Sequence, residues 1–233
     1  MKEGSARLFL GFLAFLLCMT LLCGALFQCK NRAQATSASF PTVVLDAGHG
    51  GEDGGASDAK GRSEKDLNLA MAKKIADYLS ENGVAVILTR EDDRMLYDKS
   101  PNASGSKKRR DLEGRLAICK EVENPIFVSI HMNAFPQAQY HGLQVWYGVK
   151  NETSKALAQA IQSSVKEALQ PENDRQVKAA TSAIFLLDNL DCPAILVECG
   201  FLSNPTEAEL LQDETYQSAL AKEISIAILK TLF

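Results

Sequence analysis

Two histidines and one glutamate, residue types that bind a catalytic metal or transfer protons beside one, each follow a short apolar run in this 233-residue chain. They are His49 after Val43–Leu45, His131 after Ile126–Ile130 and Glu198 after Ala194–Val197. Short apolar runs bounded by turn residues indicate buried strands. Since ligands bind beyond the carboxyl ends of parallel strands in open α/β sheets, we expect the three side chains to meet in one crevice. The pattern predicts a zinc hydrolase.

The glycine-rich loop around His49 has a competing interpretation as a phosphate-binding loop. Its letters, GHGGEDGG from residue 48, do not match the spacing of GxGxxG and lack the GK[ST] of a P-loop. Glu52 and Asp53 would also repel a phosphate. A single histidine after a strand is more often structural than a ligand, so the metal hypothesis depends on all three strand ends together.

A catalytic zinc ion commonly has three protein ligands and leaves a fourth position for water, whose pKa it lowers to about 7. Two histidines therefore need one carboxylate ligand, and a second carboxylate must accept the proton of the water. Glu198, at the end of a rigid buried strand, suits the proton transfer. The spacing does not decide whether the ligand is Glu64, Glu52, Asp53 or Asp58.

The elements that must position these residues alternate between strand and helix, which predicts an α/β fold with a mostly parallel, twisted sheet of about six strands flanked by helices. Further strands are predicted at 84–89 and 143–147, and helices at 63–82, 107–122, 153–169, after Asn204, and at 214–232. Residues 183–187 fit either a helical turn or a strand. His141 lies in a polar connection and is expected to be structural or exposed.

The first forty residues form a separate predicted segment. Leu8–Phe27 is a run of twenty residues without a charge, long enough to span a bilayer as a helix. Ala33-Gln34-Ala35 offers an A-x-A cleavage site, so the segment is either a signal peptide or an uncleaved anchor. We expect residues 1–40 to direct export and residues 41–233 to form one catalytic domain.

Charge and cysteine content argue against three other classes of protein. The net charge of −4 argues against nucleic acid as a partner. An odd number of the six cysteines lies in each part of the chain, without a CxxC motif, which argues against a disulfide framework and a cysteine zinc finger. Cys192 and Cys199 could pair or remain buried free thiols. The basic run Lys107–Arg110 fits either an anionic partner or a solvated face.

Four ordered motifs complete the sequence evidence: VVLDAGHGGEDGGA at 43–56, Glu64 in SEKDLNLA, SIHMNA at 129–134 and ILVECGFLSNPTEAELL at 195–211. Together they resemble the zinc-dependent N-acetylmuramoyl-L-alanine amidases of bacterial cell walls. The resemblance implies that His49, Glu64 and His131 bind Zn²⁺ and that Glu198 is the general base and acid. The implied reaction is hydrolysis of the amide between the lactyl group of N-acetylmuramic acid and L-alanine of the peptidoglycan stem peptide. Asn133 would hydrogen-bond the substrate or hold its loop.

Within that family the chain is similar to small, membrane-targeted members that act in the spore cortex, where amidase action precedes muramic δ-lactam formation. Ala47 and Met132 differ from the residues that are more common at these motif positions, but neither difference changes a metal ligand. No helical insert of the kind that blocks regulated amidases is evident, which implies control by localisation, substrate form or a partner protein. The implied location is the cell wall or the forespore intermembrane space. A cell-wall deacetylase, a carboxypeptidase and a non-catalytic wall-binding module are the alternatives.

Overall fold

The computed structural model describes residues 40–97 and 105–232, which contain a six-stranded sheet of order β2-β1-β3-β6-β4-β5. The strands are β1 Thr42–Ala47, β2 Val86–Leu88, β3 Pro125–Asn133, β4 Gln144–Tyr147, β5 Lys178–Ala179 and β6 Ala194–Phe201. Strands β2, β1, β3 and β6 pair in parallel, whereas β4 is antiparallel to β6 and parallel to β5. The prediction of a mostly parallel α/β sheet of about six strands is confirmed.

Helices cover both faces of this sheet. They are α1 Glu64–Glu81, α2 Lys107–Glu121, α3 Glu152–Ala168, α4 Phe185–Asn189, α5 Pro205–Leu210 and α6 Glu214–Leu232. Helix α5 begins as its sequence predicts, because the Asn204 side chain accepts hydrogen bonds from two backbone N–H groups of the first turn and Pro205 occupies the first helical position. The ambiguous residues 183–187 contribute to the short helix α4.

Two apolar cores form because the central strands are apolar on both faces. Val43 and Leu45 of β1 face the larger core, with buried residues of α1, α3 and α6, whereas Val44 faces a smaller core beside α2 and α4. Cys119 and Cys192 lie in and against the smaller core with their Sγ atoms 3.9 Å apart, and Cys199 lies in the larger one. All three are free thiols, and the suggested pairing of Cys192 with Cys199 is wrong because they belong to different cores.

Several boundaries differ from the predicted ones. Strands β3 and β6 continue through His131 and Glu198 rather than ending before them, and these two residues are direct neighbours in the sheet. The parallel ladder carries on past the apolar run because backbone pairing does not require apolar side chains where the sheet borders a crevice. Strand β5 was not predicted, since its two exposed residues have no apolar signature.

The predicted export segment lies outside the described residues. Among the residues that are described, no helix has the length and apolarity needed to cross a membrane. His141 is exposed, as expected.

Candidate metal centre

His49, Glu64 and His131 come together from three elements at the carboxyl edge of the sheet. His49 lies in the loop after β1, Glu64 is the first residue of α1, and His131 lies near the end of β3. The Glu64 carboxylate lies between the rings, with Oε1 2.8 Å from His131 Nδ1 and Oε2 3.3 Å from His49 Nε2. One ligand atom from each residue lies within 4.8 Å of the others, so the three could hold a metal ion. Two imidazoles and one carboxylate are a donor set that zinc hydrolases use.

Glu64 is held in place by donors besides the histidines. Its Oε2 accepts a hydrogen bond from the Ala56 N–H (2.8 Å), and its Oε1 accepts bonds from the Met132 N–H (3.1 Å) and Asn68 Nδ2 (3.2 Å). Burial by itself would raise the pKa of Glu64, but the hydrogen bonds and charges of the two imidazoles hold it far below its ordinary value. The carboxylate is therefore ionised and oriented before any metal binds.

Two glycines of the loop allow this close packing. A Cβ on Gly48 would lie 2.2 Å from His131 Nε2, and one on Gly55 would lie 2.4 Å from Glu64 Oε2. His49 itself has a φ of 60°, in the left-handed region that non-glycine residues seldom adopt. The loop backbone therefore lies directly against the candidate ligands. This close approach explains why glycines surround His49 in the sequence.

A buried ionic network supports the loop from below. Arg115 of α2 pairs with Asp46 (2.6 Å) and Asp111 (2.8 Å) and also donates to the carbonyl oxygens of Ala47 (2.7 Å) and His49 (2.6 Å). Burial by itself would raise the pKa of Asp46, but the Arg115 charge together with hydrogen bonds from Ser129, Thr89 and Arg115 holds that pKa below its ordinary value. The sequence did not predict a role for Arg115. The only local indication was Asp111, an acidic residue four positions earlier in the same predicted helix. Its structural position fixes the backbone on both sides of Gly48.

The other carboxylates considered as ligands lie elsewhere. Asp53 Oδ2 lies 2.9 Å from His49 Nδ1, the ring nitrogen that faces away from Glu64. Glu52 is exposed and pairs with Lys107 at 2.5 Å, and Asp58 pairs with Arg62. Glu64 is thus the one carboxylate of these four that lies between the two histidines.

The basic run at the start of α2 is partly neutralised. Lys107 pairs with Glu52, and Arg109 pairs with Glu113 and lies over the Phe185 ring. Lys108 lies 3.6 Å from Asp53 and lines the cavity beside the histidines. Most of the run is therefore a solvated, ion-paired face, whereas Lys108 borders the candidate site.

Glu198 lies directly opposite His131 in the neighbouring strand β6. Its Oε2 is shielded from solvent and, among the described residues, has no hydrogen-bond partner. Burial raises the pKa of Glu198 to about 7, with a further contribution from the nearby Glu64 charge, while His131 opposes the rise. A carboxyl group with a pKa near neutrality can both accept and donate a proton at physiological pH.

These groups border a cavity of about 460 Å³. His49, His131, Asn133 and Glu198 line it, together with an apolar wall formed by Trp146, Leu112, Ile184, Phe185, Leu186, Leu187 and Leu196. A cleft with a few convergent polar groups beside an apolar wall is typical of a substrate site. The arrangement can activate water at the polar end while binding an apolar group of the substrate against the wall.

Comparison with known proteins identifies the family. The family model described as N-acetylmuramoyl-L-alanine amidase matches residues 43–230. The chain belongs to this amidase family. The germination-specific N-acetylmuramoyl-L-alanine amidase of Bacillus subtilis (strain 168) is 38% identical over 188 residues, which cover 81% of this chain and 78% of the relative.

Solved structures agree with the assignment. The CwlD amidase of Clostridioides difficile, determined in complex with the GerS lipoprotein, has a TM-score of 0.78 at 43% identity and covers 82% of this chain and 98% of that chain. An N-acetylmuramoyl-L-alanine amidase from Clostridium difficile 630 has a TM-score of 0.70 at 34% identity and covers 83% and 97% of the respective chains. The sequence resemblance to the amidases is confirmed, and this amidase is an enzyme rather than a wall-binding module, a deacetylase or a carboxypeptidase.

Proposed function

We propose that this amidase binds Zn²⁺ through His49, Glu64 and His131 and uses Glu198 as its general base and acid. The main support is that His49 and His131, which hold the ionised Glu64 carboxylate between them, line the same cavity as the unpartnered carboxylate of Glu198. When bound, zinc lowers the pKa of a water molecule and polarises the carbonyl under attack. The reaction is hydrolysis of the amide between the lactyl group of N-acetylmuramic acid and L-alanine.

Glu198 transfers the proton in this scheme. Its Oε2 accepts a proton from the attacking water and then delivers that proton to the alanine amine as the amide bond breaks. Both transfers need the same carboxyl group in two protonation states, and the burial that raises the pKa of Glu198 to about 7 in the metal-free protein favours the protonated state that the second transfer uses. Because Glu198 is held in a paired strand, little reorganisation is needed between the two transfers.

Asn133 is proposed to hydrogen-bond the substrate. Its backbone carbonyl accepts a hydrogen bond from the Leu202 N–H at 2.8 Å, which fixes the end of β3. The residue lines the cavity that contains His131 and Glu198. Its position in the cavity lining supports a hydrogen bond from the side-chain amide to a polar group of the muramic acid or the peptide.

The biological role that we propose is amidase action in cortex maturation, before muramic δ-lactam formation. The similarity to a germination-specific amidase supports this role. We further propose export by residues 1–40, as a cleaved signal or an anchor, and action in the cell wall or the forespore intermembrane space. A regulatory partner protein is proposed because the CwlD amidase forms a complex with a lipoprotein.

The proposal is tested with purified peptidoglycan and two variants. Mass spectrometry of the wild-type digest should find free stem peptides that begin with L-alanine, while shortened peptides or deacetylated sugars would contradict the reaction. Glu198→Ala should keep its zinc but lose about 10²- to 10⁴-fold in turnover, since a general base and acid contributes this much. His131→Ala should lose both zinc and turnover.

Glu167→Ala, at an exposed position of α3, is the control and should retain zinc and activity. Zinc content is measured by inductively coupled plasma mass spectrometry. Near-normal turnover of Glu198→Ala would refute the assignment of the base, and stoichiometric zinc in His131→Ala would refute the ligand set.

A further inference from the structure

A second cavity, of about 330 Å³, adjoins the catalytic one over strands β4 and β5. Asn133 and Trp146 line both cavities, so the two border each other at these residues. The remaining residues of the second cavity include two cations and three further aromatic rings, whereas several acidic side chains line the catalytic cavity. None of its lining residues is acidic.

The two cations are Arg175 and Lys178. Arg175 donates from Nη2 to Gln144 Oε1 at 2.7 Å and lies over the Phe201 ring, 4.7 Å from its centroid. Its Nε is shielded from solvent and has no hydrogen-bond partner among the described residues. Lys178 lies 5.2 Å from the centroid of the Trp146 ring. Within the described ranges, no carboxylate forms an ion pair with either residue, so the second cavity carries unpaired positive charge.

The register of the sheet places this charge next to Glu198. Gln144 of β4 lies directly opposite Glu198 of β6, and Trp146 lies opposite Leu196. Neighbouring strands are about 4.8 Å apart, so Gln144, which holds Arg175, is one strand away from the proton-transferring group. The second cavity extends from the ends of β3 and β6 over β4 and β5, whereas His49 and His131 line only the first cavity.

This position determines which part of the substrate it meets. In the proposed reaction the carbonyl carbon lies toward the two histidines, and the departing amine lies at Glu198, which protonates it. The peptide that follows the amine therefore continues over β4 into the second cavity. In the peptidoglycan stem the residue after L-alanine is D-glutamate, whose α-carboxylate is free unless amidated. An extended chain advances about 3.3–3.6 Å per residue, so that carboxylate lies roughly 7 Å beyond the amine, within reach of the cations.

We propose that the second cavity is a subsite for the free carboxylate at the second residue of the stem peptide, bound by Arg175 and Lys178. This inference rests on the proposed amidase reaction. An anion fits better than a sugar, because Arg175 and Lys178 have no carboxylate ion pair among the described residues and lie over the Phe201 and Trp146 rings. The exposed rings of Phe135 and Tyr140, 5.0 Å apart, contact the aliphatic part of the peptide.

The test compares two substrates that differ in one group. Both are N-acetylmuramoyl tripeptides, one with the D-glutamate α-carboxylate and one with the α-carboxamide, and kcat/KM is measured by chromatography of the released tripeptide. We expect the full-length wild-type enzyme to prefer the carboxylate by about 10-fold, as expected for a hydrogen bond between charged groups. Arg175→Gln and Lys178→Met should each remove most of this preference by slowing only the carboxylate substrate.

Lys178→Met keeps the test valid if Arg175→Gln folds poorly, because Lys178 is exposed. Lys222→Met, at an exposed position of α6 that lines neither cavity, is the matched control and should keep the wild-type preference. Equal kcat/KM of the wild-type enzyme for both substrates would overturn the subsite. An equal loss on both substrates in the two variants would also overturn it, since that result indicates a structural role.

A separate binding measurement distinguishes failure of the subsite from failure of the proposed reaction. The free tripeptides, as acid and amide, are titrated into the metal-loaded enzyme by isothermal calorimetry. Tighter binding of the acid that Lys178→Met abolishes supports the subsite even if neither substrate is cleaved. A preference that instead requires a second sugar on the substrate would show a saccharide in the cavity and overturn the proposal.

Discussion

Replacing Glu198 by glutamine should change how the stability of the metal-free protein depends on pH. Burial raises the pKa of the Glu198 carboxyl group to about 7 from its ordinary value of 4.5. The folded protein therefore holds this proton to a higher pH than the unfolded chain does. Between these two values the unfolded state binds fewer protons, so the free energy of unfolding falls as pH rises and is constant above the folded pKa.

The magnitude follows from the size of the shift. One pKa unit corresponds to about 1.4 kcal/mol, so the ionised carboxylate destabilises the fold by about 3 kcal/mol above pH 7. Part of this loss is already present at pH 5, because the unfolded chain has begun to ionise there. Glutamine has a similar shape and cannot ionise. The free energy of unfolding of Glu198→Gln, relative to that of the wild type, should therefore rise by about 2 to 3 kcal/mol as the pH increases from 5 to 8.

Urea denaturation of chelator-treated protein at pH 5, 6, 7 and 8 measures this difference. The metal must be absent, because a bound cation would stabilise the carboxylate and lower its pKa. Glu167→Gln, on the exposed face of α3, should show no pH-dependent difference from the wild type. A difference between Glu198→Gln and the wild type that stays constant across this range would refute the argument that burial raises the pKa of Glu198.

Three further perturbations test the support around the site. Gly48→Ala places a Cβ 2.2 Å from His131 Nε2 and should weaken zinc binding at least about 10-fold with the fold retained, by competition with a chromophoric chelator; unchanged affinity would contradict the packing argument. Arg115→Met leaves Asp46 and Asp111 buried without their cation and should lower the free energy of unfolding in urea by about 3–5 kcal/mol. Lys120→Met, at an exposed position of the same helix, should lower it by less than about 0.5 kcal/mol, and a loss under about 1 kcal/mol for Arg115→Met would contradict the argument. Removing the metal should lower Tm without changing the far-ultraviolet circular dichroism, because Glu64 already contacts both imidazoles; loss of helix signal would refute this.

Much of the fold could be predicted because its signals are local. The apolar runs of β1, β3 and β6 identify buried parallel strands without reference to the rest of the chain. The last helix, Glu214–Leu232, has the predicted limits, and Asn204 with Pro205 marks the start of α5. The sheet edge at which His49, His131 and Glu198 lie follows from the rule that parallel strands share a carboxyl edge.

Other features have no local signal. The two-residue strand β5 forms only because β4 offers it an edge, and Arg115 becomes significant only because α2 lies across the end of β1. Because β4 is antiparallel to β6, Gln144 lies beside Glu198, and Gln144 lines the second cavity. Each of these depends on pairing between segments that are far apart along the chain.

The amino-acid order was sufficient to specify an α/β sheet, the histidines and glutamate at its carboxyl edge and, through motif resemblance, an amidase. The spacing of residues left four carboxylates as candidates for the third metal ligand. Only the folded structure shows which of them lies between the two histidines. The crossover from β1 to α1 sets Glu64 between the imidazoles, while Asp53 lies on the other ring nitrogen of His49. The reason is physical: residue type and local periodicity determine what a side chain can do, whereas distances of a few ångströms depend on how remote segments pack.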